Sequence, residues 1–202
     1  MRRWALVAAL ACFVVAPAAR ADGDPASDYL LSKPAFVPPD AGIPSADVTQ
    51  LNVTLAAAKL RGYEIRVAVI ATKNDLGSVG VLYRQPRQYA RFLGQELHFV
   101  YNGRLLVAMP NGYAVARDGK LEPSGLALVD RLPPPGSNGR SLTTGATTAV
   151  AKLATAAGVT LAAPKATRSS SGNGHWLLIG IAGVVLLLAA AAAILARRHR
   201  RP

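Results

Sequence analysis

Asn102-Gly103-Arg104-Leu105-Leu106-Val107-Ala108-Met109-Pro110-Asn111-Gly112-Tyr113-Ala114-Val115-Ala116 is the stretch whose reading decides the fold. Asn-Gly takes up the left-handed backbone of a tight hairpin turn at little cost, and one such pair stands on each side of an apolar run. The run from Arg104 to Met109 reads as a strand, and Tyr113 to Ala116 as its return. Phe99-Val100-Tyr101, ahead of the first pair, reads as a strand stub. A hairpin or meander follows, and Leu126-Ala127-Leu128-Val129 can add one more short strand.

Working outward, Tyr63 to Ala71 is a further strand. Ile65, Val67 and Val69 face one way, and Glu64, Arg66, Ala68 and Ile70 the other. It begins half-polar and ends apolar on both faces, as a strand entering a covered sheet does. Lys73 to Ser78 then reads as a loop. Three helices surround these strands. The first starts at Ser45, whose side chain can cap it, with Asp47 at its positive end; Val48, Leu51 and Leu55, with Ala58 beside them, form its apolar face, and Gly62 ends it. Gln85-Pro86 opens the second, with Tyr89, Leu93 and Leu97 recurring every fourth residue. Ser141 caps the third, which runs to about Ala157 with Val150, Leu153 and Ala157 as its stripe, before Gly158. The fold class is therefore α/β. It is a single small three-layer domain over residues 43–161, with a mixed sheet of about four strands covered by helices. The proline-rich segment 22–42 is expected to run extended or irregular over its surface, with Tyr29, Leu30, Leu31 and Phe36 able to tie part of it down.

The two ends of the chain speak of location. Arg2 and Arg3, the apolar run from Trp4 to Val15, and Ala19-Arg20-Ala21 read as a signal peptide over residues 1–21 with its cleavage pattern at Ala21; an uncleaved anchor and an acylated Cys12 are the alternatives. Residues 176–196, from Trp176 to Ala196, are apolar throughout and long enough to cross a bilayer as a helix. Arg197, Arg198, Arg200 and Arg201 follow in a basic tail, residues 197–202, which stays cytoplasmic and leaves the domain outside. Residues 162–175, rich in Ser and Gly, make a stalk. The expected protein is thus single-pass in the cell membrane, with the lipid bilayer as one partner. The only cysteine, Cys12, falls in this N-terminal segment, so if cleavage follows Ala21 the mature domain relies on packing without disulfides. The net charge of +12 is swelled by the arginines at the two ends. What remains between them is a mild excess without a basic run, which argues against nucleic acid as a partner.

Candidate chemistry is sparse. The sequence holds no glycine-rich phosphate loop with lysine, no His-Glu-x-x-His, no Cys-x-x-Cys and no Gly-x-Ser-x-Gly. Ligands gather beyond the carboxyl ends of strands in α/β sheets, which points to Asn74, Asp75 and Ser78 after the Tyr63–Ala71 strand. Their oxygens can hold a divalent cation such as calcium, or cap the next segment. Asp118, after the last strand, can converge on the same place or serve a hairpin turn. Glu96 and His98 form a conceivable catalytic pair, or a solvated acid and a histidine at the negative helix end. Arg84, Arg87 and Arg91, spaced by three and four on one helix face, can receive an anionic partner or form a solvated face.

The order of elements resembles the TPM domain of membrane-anchored bacterial proteins. The resemblance is carried by the Val48–Leu60 helix, Gly62 to Val69, Tyr89-Ala90-Arg91-Phe92-Leu93, Gly103 to Ala108 leading to Asn111-Gly112-Tyr113, and the helix from Thr144-Gly145 to Leu153. It implies an exported or membrane-anchored domain that serves the assembly, repair or regulation of membrane complexes, with divalent-metal binding and weak phosphatase activity proposed for some members. The loops of this sequence carry few carboxylates beyond Asp75 and Asp118, a departure from the acidic loop positions of the family. The leading expectation is a non-catalytic domain that binds another membrane or envelope protein. The alternative is a weak metal-dependent phosphatase or hydrolase built on the loop after the first strand.

Overall fold

A computed structural model describes residues 23–161. The sheet has five strands in the order β1 (Ala35–Phe36), β2 (Ile65–Val69), β3 (Arg104–Met109), β4 (Gly112–Arg117) and β5 (Lys120–Leu121). The first three run parallel, β4 returns antiparallel to β3, and β5 is antiparallel to β4, so the sheet is mixed. Met109 pairs with Gly112 and Arg104 with Arg117, so β3 and β4 form the expected hairpin, but its two turn residues are Pro110 and Asn111, Gly112 already belongs to β4, and Asn102-Gly103 leads into β3 without turning a hairpin. Both edge strands are two residues long and flanked by proline: Pro34 precedes β1, and Pro123 follows soon after β5.

Alternation along the strands divides the core into two. Ile65, Val67, Val69, Leu106, Ala108, Tyr113 and Val115 point into one half. There they meet α2 (Ser45–Leu60), α4 (Pro123–Val129) and α5 (Gly139–Ala156). Ala68, Ile70, Leu105, Val107, Met109, Ala114 and Ala116 point into the other half, against α1 (Pro25–Leu30) and α3 (Pro86–Leu97). This is the three-layer α/β arrangement expected of an apolar sheet that needs cover on both sides. The step from β1 to β2 passes through α2, and that from β2 to β3 through α3. Both steps go the same way across the sheet, yet the two helices lie on opposite faces. One of the two crossovers is therefore left-handed, against the strong right-handed preference of such connections.

Several expectations need correction. The segment from Pro25 to Ala41 is part of the fold, not a surface cover. It contains α1, β1 and a 3-10 turn at Pro39–Ala41, and its Ala26 and Leu30 are fully buried. Phe99-Val100-Tyr101 is not a strand; it follows the end of α3, with the Val100 and Tyr101 amides bonded back to the Leu97 carbonyl. Leu126 to Val129 belongs to α4, where Pro123 occupies the first turn and fixes a helical φ. The loop after β2 is a 3-10 segment, Lys73–Leu82, kinked at Gly77. Helix α2 begins at Ser45 without a side-chain cap. Helix α5 is capped by Asn138, whose side chain accepts from the Arg140 amide at 2.8 Å, and Ala157 is exposed rather than part of the buried stripe. The apolar faces hold: Leu51, Leu55 and Ala58, then Tyr89, Leu93 and Leu97, then Val150 and Leu153 are buried, and Val48 is half-buried.

Among the described residues no helix is long and apolar enough to cross a membrane. The expected signal peptide (1–21), stalk (162–175), transmembrane helix (176–196) and tail (197–202) lie outside the described residues.

Gly77 ties the N-terminal segment to the rest. Its φ is +50°, and a Cβ there would sit 2.2 Å from the Gly23 carbonyl oxygen. Gly77→Ala is expected to cost about 1–3 kcal/mol in strain and to loosen α1. Urea unfolding should show the loss, and limited proteolysis should cut near Leu31–Lys33 sooner than in the parent. Unchanged cutting there would refute the role given to Gly77.

Candidate functional site

The carboxyl end of the parallel strands is bounded by the Lys73–Leu82 segment, the first turn of α3 and the β3–β4 turn. A cleft of about 410 Å³ opens between that turn, α3 and the end of α4. Gln88, Asn111, Tyr113 and Leu132 line it, together with Arg87 and Asp130. Its size falls within the usual range for small-molecule pockets. The Arg87 guanidinium and the Asp130 carboxylate approach to 2.6 Å, each about half exposed. An ion pair so open to water contributes at most about 1 kcal/mol. Beside it, the Asn111 amide donates to the Arg84 carbonyl at 2.7 Å. That bond helps hold Arg84 at a φ of +62°, in the left-handed region that non-glycine residues seldom adopt.

At the start of the domain, Asp24 and Tyr89 form a buried pair. The Tyr89 hydroxyl reaches both carboxylate oxygens of Asp24, at 2.9 and 2.8 Å. The same carboxylate caps α1 by accepting from the Ala26 amide at 3.1 Å. Tyr89 is wholly buried and Asp24 nearly so. Burial pushes the Asp24 carboxyl up to about 6, although the Tyr89 hydroxyl and the α1 amides pull the other way. Burial, followed by the charge of Asp24, raises the Tyr89 hydroxyl far above its ordinary range. One carboxylate thus joins the N-terminal helix to the first turn of α3.

The Asp75 carboxylate is likewise committed. Its Oδ2 accepts from the Ala71 and Thr72 amides, each at 2.8 Å, which caps the segment that follows β2. Asn74 and Ser78 are exposed on that segment. Nearby, the Tyr83 hydroxyl donates to the Ala71 carbonyl at 2.9 Å and closes the same turn. Asp75 thus has the capping geometry that is one of its two expected roles. Asp118 does not converge on it. It sits in the turn after β4 with a φ of +52°, at the opposite end of the sheet, 3.8 Å from Arg117. An antiparallel return puts the end of β4 beside the beginning of β3, so the convergence expected of Asp118 is topologically barred.

Among the described residues no three His, Cys, Asp or Glu side chains come together, whereas a hard cation wants six or more oxygens. The arginine face also needs correction. Arg84 precedes α3, so only Arg87 and Arg91 lie on the helix, and Arg87 is paired with Asp130. Glu96 and His98 are both exposed, with His98 at the C-cap of α3. Trp176, Arg197, Arg198, Arg200 and Arg201 lie outside the described residues.

Asp24, Asn111 and Asp130 escaped the sequence reading as site residues. Asp24-Pro25 carries a signal, since an aspartate followed by proline at the first helical position marks a helix start. Asn111 stood out only as a turn former, and nothing in the sequence places Asp130 beside Arg87. No family model, no curated protein and no solved structure matches the chain.

The buried carboxyl makes stability depend on pH. Asp24 holds its proton in the folded state up to about pH 6, and an unfolded aspartate releases it near 3.8. Between these values the folded state binds more protons, so its stability falls as pH rises. Asp24→Asn is expected to keep the hydrogen bonds and to flatten the decline of Tm between these two values. A decline as steep in the variant as in the parent would show that Asp24 is not its source.

Proposed function

We propose that the chain is a single-pass, membrane-tethered extracytoplasmic protein whose domain binds another membrane or envelope protein and helps assemble or maintain its complex. The observation that carries this reading is the state of the carboxylates near the ligand-gathering end. Asp24 is held by Tyr89 and the first turn of α1, Asp75 by two backbone amides, and Asp130 by Arg87. What is left open is a cleft of side-chain amides, an aromatic ring and a paired charge, a lining suited to recognition. The tether is argued from the apolar run 176–196 and the arginines after it. Support for a TPM-like domain comes from the succession α2, β2, α3, β3, β4 and α5, the order on which the resemblance rests.

A photo-crosslinking residue at Gln88, in the full-length protein in native membranes, is expected to trap a discrete envelope protein. Asp75→Ala should leave that adduct intact and lower stability by about 1 kcal/mol through loss of the cap. Phosphoester hydrolysis by the purified protein, dependent on a divalent cation and lost in a still-folded Asp75→Ala variant, would replace binding with catalysis. Orientation has its own check. Protease added outside intact cells should cut the domain and spare the tail, and the reverse pattern would overturn the topology.

A further inference from the structure

Helices α2 and α3 both run from the cleft end of the sheet to the opposite end, because each leads into the start of a parallel strand. Each finishes with large apolar side chains in water. Leu60 ends α2 at 88 % exposed, and Phe99 and Val100 follow α3 at 94 % and 61 %. Leu31, at 42 %, follows α1 at the same end, where the Leu30 carbonyl accepts from Arg66 near the beginning of β2. A single exposed apolar residue is ordinary, but one end of a domain bearing them on the helical layers of both faces of the sheet is not.

The charges around them are mixed with a basic bias. Arg61, Arg117 and Lys120 are exposed, and Lys59 stands in water beside Glu64 at 2.8 Å. Glu96 and Asp118 share this end. The chain also leaves the domain here. Arg140 meets Asp47 at 3.2 Å where α5 and α2 begin, and the two helices pack side by side in the same direction, so α5 also finishes at this end. Val159 and Leu161 then pack against the core. From there, residues 162–175 can extend at most roughly 50 Å before the apolar run 176–196 begins, so the exit end can lie on a bilayer.

We infer that this end is a membrane-contacting face. It seats Leu31, Leu60, Phe99 and Val100 among the lipid headgroups, with Arg61, Arg117 and Lys120 toward anionic phosphates. Bulky apolar groups ringed by long basic ones are the composition that lies in the bilayer interface. The inference rests on the tether proposed above, and it fixes which way the domain faces: exit end down, cleft toward a partner.

The test uses the full chain with Cys12→Ser, one cysteine introduced at Phe99 or at Val81, and an environment-sensitive dye on it. Val81 is 75 % exposed at the cleft end and serves as the control. In vesicles of phosphatidylcholine and phosphatidylglycerol containing a spin-labelled lipid, the dye at 99 should be quenched and blue-shifted, and the dye at 81 should not. Omitting phosphatidylglycerol or adding salt should weaken the quenching. Equal or absent quenching at both sites in a chain that resists alkaline carbonate extraction overturns the face and leaves the tether standing. Quenching at 99 alone in a chain that carbonate extracts supports the face and sinks the tether. A dye at 99 shielded in native membranes yet unquenched in vesicles overturns a lipid contact in favour of a protein one.

Discussion

The fold depends on the sheet being covered on both faces. From Leu105 to Pro110 no residue of the β3 region reaches solvent appreciably, and Tyr113 to Ala116 on β4 are equally buried. With alternate side chains pointing to opposite sides, such strands are stable only between two helical layers. The domain has no disulfide to lean on, since its sequence holds no cysteine beyond Cys12. The apolar cover is therefore the largest part of its stabilisation. Helices α2, α4 and α5 supply one layer. On the other side α3 is too short to suffice, and α1 joins it there. That is why a segment read as surface wrapping is part of the core.

What could be read from the sequence was what periodicity and turn chemistry encode. The two-residue alternation of Ile65 to Ile70 distributed itself between the two half-cores as expected. The fourfold recurrence of Tyr89, Leu93 and Leu97 buried the expected face of its helix. Gly62 and Gly158 follow their helices with φ of +82° and +81°, the conformation that a glycine terminator provides. The failures share a different cause. Phe99-Val100-Tyr101 and Leu126 to Val129 are short apolar runs, and such runs do not distinguish strand from helix or from an exposed corner. Pro25, Pro34, Pro38 and Pro39 read as breakers in the sequence, yet Pro25 begins a helix and Pro34 and Pro38 bracket an edge strand.

The site was less legible because it is made by the fold. Capping as a role for Asp75 was readable from a carboxylate shortly after a strand, beside the amides of a turn. The union of Asp24 with Tyr89, 65 positions apart, was not. Neither were the Arg87–Asp130 contact and the separation of Asp118 from Asp75, which follow only once the register of β3 and β4 is known.

The edges of the sheet bear on how copies of the domain can associate. Strand β1 has Pro34 before it and Pro38 just after, and β5 lies between the Arg117–Lys120 turn and Pro123. A sheet grows from molecule to molecule when a long free edge offers a ladder of amides and carbonyls. Here each margin offers two residues, and proline removes a donor beside it. Copies brought close together would find too short an edge on which to extend the sheet. Contacts between copies then fall mainly to side chains, whose identity the sequence sets.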